Sequence, residues 1–142
     1  MPTIPLSRAE TRSVAIPADP DAVFAFVADP RNLPRWAPGF ASAVRPAGAD
    51  WIVTSGGNEL TIAVVSDPIR RTVDLLGGER RTTAVYSRVI ANAEGSEYLF
   101  TILFPHGTPE AAVTAQMEVV DGELRTIRDL VAGADALGGI AA

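Results

Sequence analysis

The spacing of apolar residues changes its period three times along the chain. Residues Glu10 to Ile16 read as a first strand, and Pro17 closes it. In the segment ADPDAVFAFVAD, Asp19 stands where a helix N-cap is expected and Pro20 occupies the first helical position. Val23, Phe24, Phe26 and Val27 then cover one face of a short helix. Pro30 and Pro34 forbid a long continuation, which leaves a helical turn and a loop to carry Trp36 between Pro34 and Pro38.

From Ala41 onward the period falls to two, interrupted at short intervals by PAGAD, SGGN, SDP, LGGE and NAEGS, and this predicts a meander of antiparallel strands. Two of these turns predict register. A two-residue Gly77-Gly78 loop would pair Leu76 with Glu79, Asp74 with Arg81 and Val73 with Thr82. A type I turn with a Gly bulge in NAEGS would pair Asn92 with Ser96, placing Arg88 opposite Phe100 and Tyr86 opposite Ile102. In SEYLFTILF the set Tyr98, Phe100, Ile102 and Phe104 forms the buried face, so Ala84, Tyr86, Arg88 and Ile90 would point inward with it. The same turn can also close with Ala91 opposite Ser96, which sends Val85, Ser87 and Val89 inward and Arg88 to solvent.

After FPHGTP the spacing becomes helical. Thr108 is placed to cap, Pro109 to occupy the first turn and Glu110 to complement the dipole. Val113, Met117, Val120, Leu124, Ile127 and Val131 recur at steps of four and three as one apolar stripe. Gly122 predicts a bend at a cost of about 1 kcal/mol relative to Ala. The Gly-rich tail GADALGGIAA is expected to fray.

Composition narrows the chemistry. The chain has 142 residues, enough for one domain, and carries a net charge of −5. Its pI near 4.8 and the absence of any basic cluster beyond pairs such as Arg80 and Arg81 argue against nucleic acid as a partner. There is no Cys and a single His, His106, so disulfides, thiolate or multi-histidine metal sites and Cys nucleophiles are excluded. All twelve basic residues are Arg, which removes Schiff-base and Walker-type lysine chemistry. No apolar run is long enough for a signal peptide or a membrane span. The expectation is therefore a cytoplasmic protein without stable membrane insertion, metal or cofactor.

The order of a strand, two short helices, a strand meander and a long helix is carried most distinctly by VAIPADPDAVFAFVADPRNLPRWAP and EVVDGELRTIRDLVAG. It resembles the START/Bet v 1-like (SRPBCC) superfamily, in particular its small bacterial polyketide cyclase/dehydrase-like branch, from about Arg12 to about Ala132. The resemblance implies an α+β helix-grip fold, with a curved antiparallel sheet wrapped around the C-terminal helix. It also implies a single ligand-binding domain with a core of about residues 9–133, a flexible tail of about 134–142, and a cavity between sheet and helix.

Under that implication the ligand-contacting set is Trp36, Phe40, Tyr86, Arg88, Tyr98, Phe100, Ile102, Val120, Leu124 and Ile127. Trp36 reads either as a rigid wall or lid at the mouth or as core packing of the short helices, and Trp51 as a plug at the sheet edge. Arg88, Tyr86 and Tyr98 are the candidates for chemistry, a cation and two phenols able to orient a carboxylate or to stabilise an enolate. His106 reads as a turn residue, and Glu10, Asp50 and Glu59 as surface groups. Leu99 and Leu103, with Val85 and Val89 beside them on the outer face, would offer a homodimer patch. Three functions follow: binding of a hydrophobic or aromatic small molecule such as a lipid, polyketide or quinone-like compound; a cyclase, aromatase or dehydratase activity without metal or nucleotide; or a co-chaperone-like interaction module.

Overall fold

The computed structural model of the protein describes residues 3–78 and 83–141. Its first strand, β1 (Arg8–Ile16), leads into α1 (Pro20–Ala28), a single 3-10 turn (Pro30–Asn32) and the one-turn helix α2 (Leu33–Trp36). Six further strands follow: β2 (Ala43–Ala47), β3 (Asp50–Ser55), β4 (Asn58–Asp67), β5 (Thr72–Gly77), β6 (Thr83–Asn92) and β7 (Gly95–Phe104). The long helix α3 (Glu110–Ala141) ends the described chain. All pairings are antiparallel in one seven-stranded curved sheet of order β1-β7-β6-β5-β4-β3-β2, so the last strand returns to pair with the first. This is the α+β helix-grip arrangement.

Local chemistry explains the compact crossing between β1 and β2. Asp19 accepts a hydrogen bond from the Asp21 amide at 3.0 Å, with Pro20 behind it as the first helical residue. Asp29 repeats the device for the next turn, accepting from the Arg31 amide at 3.0 Å, and Asn32 Nδ2 donates to the Phe26 carbonyl at 2.9 Å. These bonds fold the Pro-rich segment back on α1, and α2 follows at once with Leu33 and Trp36 buried. At the other end of the fold, the Thr108 hydroxyl donates to the Pro105 carbonyl at 2.6 Å, so it stabilises the turn before α3 and does not cap the helix as predicted. Pro109 instead offers its carbonyl to the amides of Ala112 and Val113.

The apolar stripe of α3 is buried as its spacing requires, with Val113, Met117, Val120, Leu124, Ile127 and Val131 in one cluster with Ile16, Val23, Trp36, Tyr98 and Phe100. Gly122 lies inside a continuous helix, where its carbonyl accepts from the Thr126 hydroxyl at 3.0 Å. The helical backbone also continues through the Gly-rich tail to Ala141.

Two register predictions are corrected. Leu76 pairs with Ala84 and Asp74 with Tyr86, because Gly77 is still in the strand and the connection runs through residues 78–82. The predicted partners Glu79, Arg81 and Thr82 lie outside the described residues. At the second turn Asn92 pairs with Gly95 and Ala91 with Ser96, so the bulged closure is not used. The left-handed residue of that turn is Ala93, with φ of 50°.

Gly95 serves a different purpose. A Cβ on it would lie 2.7 Å from the Ile16 carbonyl oxygen, and Ser96 beside it donates a buried hydrogen bond to the Ala18 carbonyl at 2.7 Å. The start of β7 is thus pressed against the end of β1. Gly95→Ala is expected to destabilise the protein by about 1–3 kcal/mol in denaturant unfolding, since backbone must move to admit the methyl group. Gly39→Ala, where a Cβ would meet nothing within 4 Å, serves as the near-neutral comparison. Equal stability of the two variants would refute the close-approach explanation.

Candidate functional site

Helix α3 packs closely on β1, α1 and α2, while the middle of the sheet curves away from it. The space left between them is a cavity of about 580 Å³. The sheet contributes Leu60 and Ile62 from β4, Leu75 from β5, Ala84 and Val85 from β6, and Phe100 and Ile102 from β7. Leu33, Trp36, Ala37 and Phe40 line it from α2 and the segment after it, and Gln116, Val120 and Glu123 line it from α3. Phe40 and Leu60 are 38% and 44% exposed, which puts them with Glu59 and Gly78 at the mouth.

Trp36 is only 4% exposed, so its ring is a fixed wall and not a solvent-facing lid. One helical turn, with Pro34 inside it, suffices to carry the ring inward. Its Nε1–H is buried and has no hydrogen-bond partner among the described residues. Such an unpaired donor costs free energy, on the order of 1–3 kcal/mol.

Of the other predicted contacts, Phe40, Phe100, Ile102 and Val120 line the cavity. Leu124 and Ile127 are buried in the packed core beside it. Tyr98 is 2% exposed and stacks edge-on against Phe100, with ring centres 6.5 Å apart. Burial pushes its phenol up to about 12, with the Ser87 hydroxyl as its polar neighbour. Ser87 in turn donates to the Val73 carbonyl at 2.8 Å.

The expected constellation of Arg88, Tyr86 and Tyr98 is not assembled. Arg88 is exposed and pairs with Leu99 on the outer face, and Tyr86 is 43% exposed opposite Thr101. The physical cause is the one-residue change in closure of the β6–β7 turn, which exchanges the two faces of β6. Val85, Ser87 and Val89 therefore point inward, and Val85 and Val89 are not available for the outer dimer patch expected with Leu99 and Leu103. Ile90, also expected inside, is 38% exposed. Trp51 is half-buried against the core from β3, a packing role. His106 lies exposed in the turn before α3.

The polar group that sequence reasoning passed over is Glu123. It is half-buried on the cavity wall, and burial alone pushes its carboxyl up to about 7. Its charge also reaches Tyr98, whose ionisation it further disfavours. Gln116, Val120, Glu123 and Ile127 fall at helical steps of four, three and four, so two polar residues belong to the inward side of the stripe. That spacing was the available signal. Among the described residues no group of three or more His, Cys, Asp or Glu could hold a metal, and no helix is long and apolar enough to cross a membrane.

A sheet gripping a long helix around an apolar cavity defines a class of protein, and the sequence supports the same class. Residues 9–136 match the family described as polyketide cyclase / dehydrase and lipid transport, and the chain belongs to that family. Among solved structures, it is similar to the protein XoxI from Bacillus cereus at 14% identity and a TM-score of 0.71, over 87% of this chain and 94% of that one. It is similar to the Zhui aromatase/cyclase from a Streptomyces species at 15% identity and a TM-score of 0.68, over 88% and 93%. The Aha1 dimer from Colwellia psychrerythraea aligns at 14% identity and a TM-score of 0.68, over 87% and 96%. At such identities the likeness establishes the fold. No curated protein matches the sequence.

Proposed function

We propose that the protein binds a hydrophobic or aromatic small molecule in the cavity between the sheet and α3. The observation that carries this reading is the cavity itself: about 580 Å³, walled largely by Leu, Ile, Val, Phe and Trp side chains. Sites for small ligands are of this size and character, with few polar groups to set orientation. A filled interior would have favoured the interaction-module reading.

Two measurements test the proposal. Native mass spectrometry of protein purified from its own host should find a retained small molecule. Titration with the neutral probe phenylnaphthylamine should quench Trp emission and enhance probe emission, and Trp36→Phe should remove most of the quenching while Trp51 reports the remainder. Absence of probe binding to the wild-type protein would sink the reading, and unchanged quenching in Trp36→Phe would remove Trp36 from the ligand wall.

Catalysis is the second reading, favoured by one observation. A carboxyl poised near neutrality in an apolar cavity has the protonation behaviour of a general acid or base. The family description and the aromatase/cyclase neighbour are compatible with proton transfer to or from a bound polyketide-like ketone. The residue for that role is Glu123, in place of the dispersed Arg88 and tyrosine set.

A further inference from the structure

The cavity's polarity is uneven in sign. Its titratable lining among the described residues is Glu59 and Glu123, and no described Arg lines it. Glu59 sits at the mouth with its carboxylate bonded to Arg45 at 3.0 Å, so that charge is already compensated. Glu123 lies deeper, on the same face of α3 as Gln116 and Val120, and makes no hydrogen bond or ion pair with any described residue. The other titratable group facing it, from β7, is the Tyr98 phenol, which is neutral and points its polar edge toward Ser87. From α2 the wall is Leu33 and Trp36, which carry no charge.

A carboxyl in such a place can be accommodated in two ways: by keeping its proton, or by receiving a donor or a cation from whatever occupies the cavity. A ligand carboxylate would add a second anion to an apolar space with no described cation to meet it. A ligand ammonium would satisfy Glu123 directly by a charge-assisted hydrogen bond. Gln116, about 10 Å along the helix by its rise per residue, is the second polar position. It can accept or donate to a neutral group at the other end of the molecule.

Building on the small-molecule reading above, we propose that the cavity selects apolar molecules bearing a cationic amine, anchored on the Glu123 carboxylate, and rejects otherwise identical carboxylic acids. This reverses the selectivity that an inward Arg88 would have imposed. Neutral alcohols, which donate one uncharged hydrogen bond, fall between the two.

The test uses three fluorescent probes with one ring system and different head groups: pyrenylmethylamine, pyrenylmethanol and pyrenecarboxylic acid. At about pH 8, where Glu123 is mainly ionised, the wild-type protein should bind the amine at least ~10-fold more tightly than the acid. Glu123→Gln should shrink that ratio to within about threefold, by weakening the amine as well as admitting the acid. As an independent arm on wild-type protein, lowering the pH to about 5.5 protonates Glu123 but leaves the charges of the amine and the acid probe unchanged, and the ratio should fall there too.

Equal binding of the three probes by the wild type, or a preference that survives both Glu123→Gln and acidification, would overturn the selectivity while leaving the small-molecule reading intact. Failure of all three probes together with phenylnaphthylamine would remove both. If Glu123→Gln unfolds, the acidification arm decides alone.

Discussion

Glu123→Gln is expected to make the protein more stable than wild type above neutral pH and no more stable in mild acid. The sign follows from the direction of the shift. The carboxyl is raised from its ordinary 4.5 to about 7 on folding, so the folded state holds the proton more tightly than the unfolded state. Between those values the folded protein binds more protons, and wild-type stability should fall as pH rises from about 4.5 to about 7, then level off.

The full linkage value would be about 3 kcal/mol, and contact of the carboxyl with the open cavity reduces it, so a change of ~1–2 kcal/mol is expected. Asp29 and Glu110 are shifted the other way, lowered by hydrogen bonds from Arg31 and Arg8, and their contribution is lost only in more acidic solution. Asp74 is raised by burial but is common to both proteins, so the difference between them isolates Glu123. Denaturant unfolding at a series of pH values measures it. A constant difference across the whole range would mean that the Glu123 carboxyl is well solvated.

Leu124→Ala is expected to cost about 2–5 kcal/mol, the range for removing a large aliphatic side chain from a packed interior. Leu124 is 2% exposed and belongs to the core cluster, outside the cavity lining, so its loss opens a new void. Val120, one turn earlier, already faces the cavity, and Val120→Ala merely enlarges it. The cost per removed atom should therefore be clearly smaller at Val120 than at Leu124. The reverse order in chemical denaturation would show that the side of α3 toward Val120 is the packed one.

The fold was readable because several local signals agree. Asp19 and Pro20 start α1 as their chemistry dictates, the step-of-three-and-four stripe runs along α3 from Val113 to Val131, and alternation in β7 marks Tyr98, Phe100 and Phe104 as its inner face. The site was less readable, and the misreadings share a cause. A glycine in a sequence states only that no side chain is present. At Gly95 the local pattern predicts a left-handed bulge residue, whereas the glycine lets the β7 backbone approach Ile16. That contact joins residues nearly eighty positions apart in the chain. Similarly, the Gly77-Gly78 pair predicts a tight loop, but Gly77 remains in the strand, paired with Ile62 on one side and Thr83 on the other.

The elements, their order, the apolar face of each helix, and the absence of thiol, lysine and multi-histidine chemistry can all be read from residue type and short-range spacing. Which alternate set of β6 faces inward is fixed in three dimensions, because period-two spacing names two sets and leaves the choice to strand closure. Likewise, the polar residues Gln116 and Glu123 are visible on the stripe of α3. Whether that face meets packed side chains or empty space depends on where the sheet curves away from the helix, and that distance is set by contacts among strands remote in sequence.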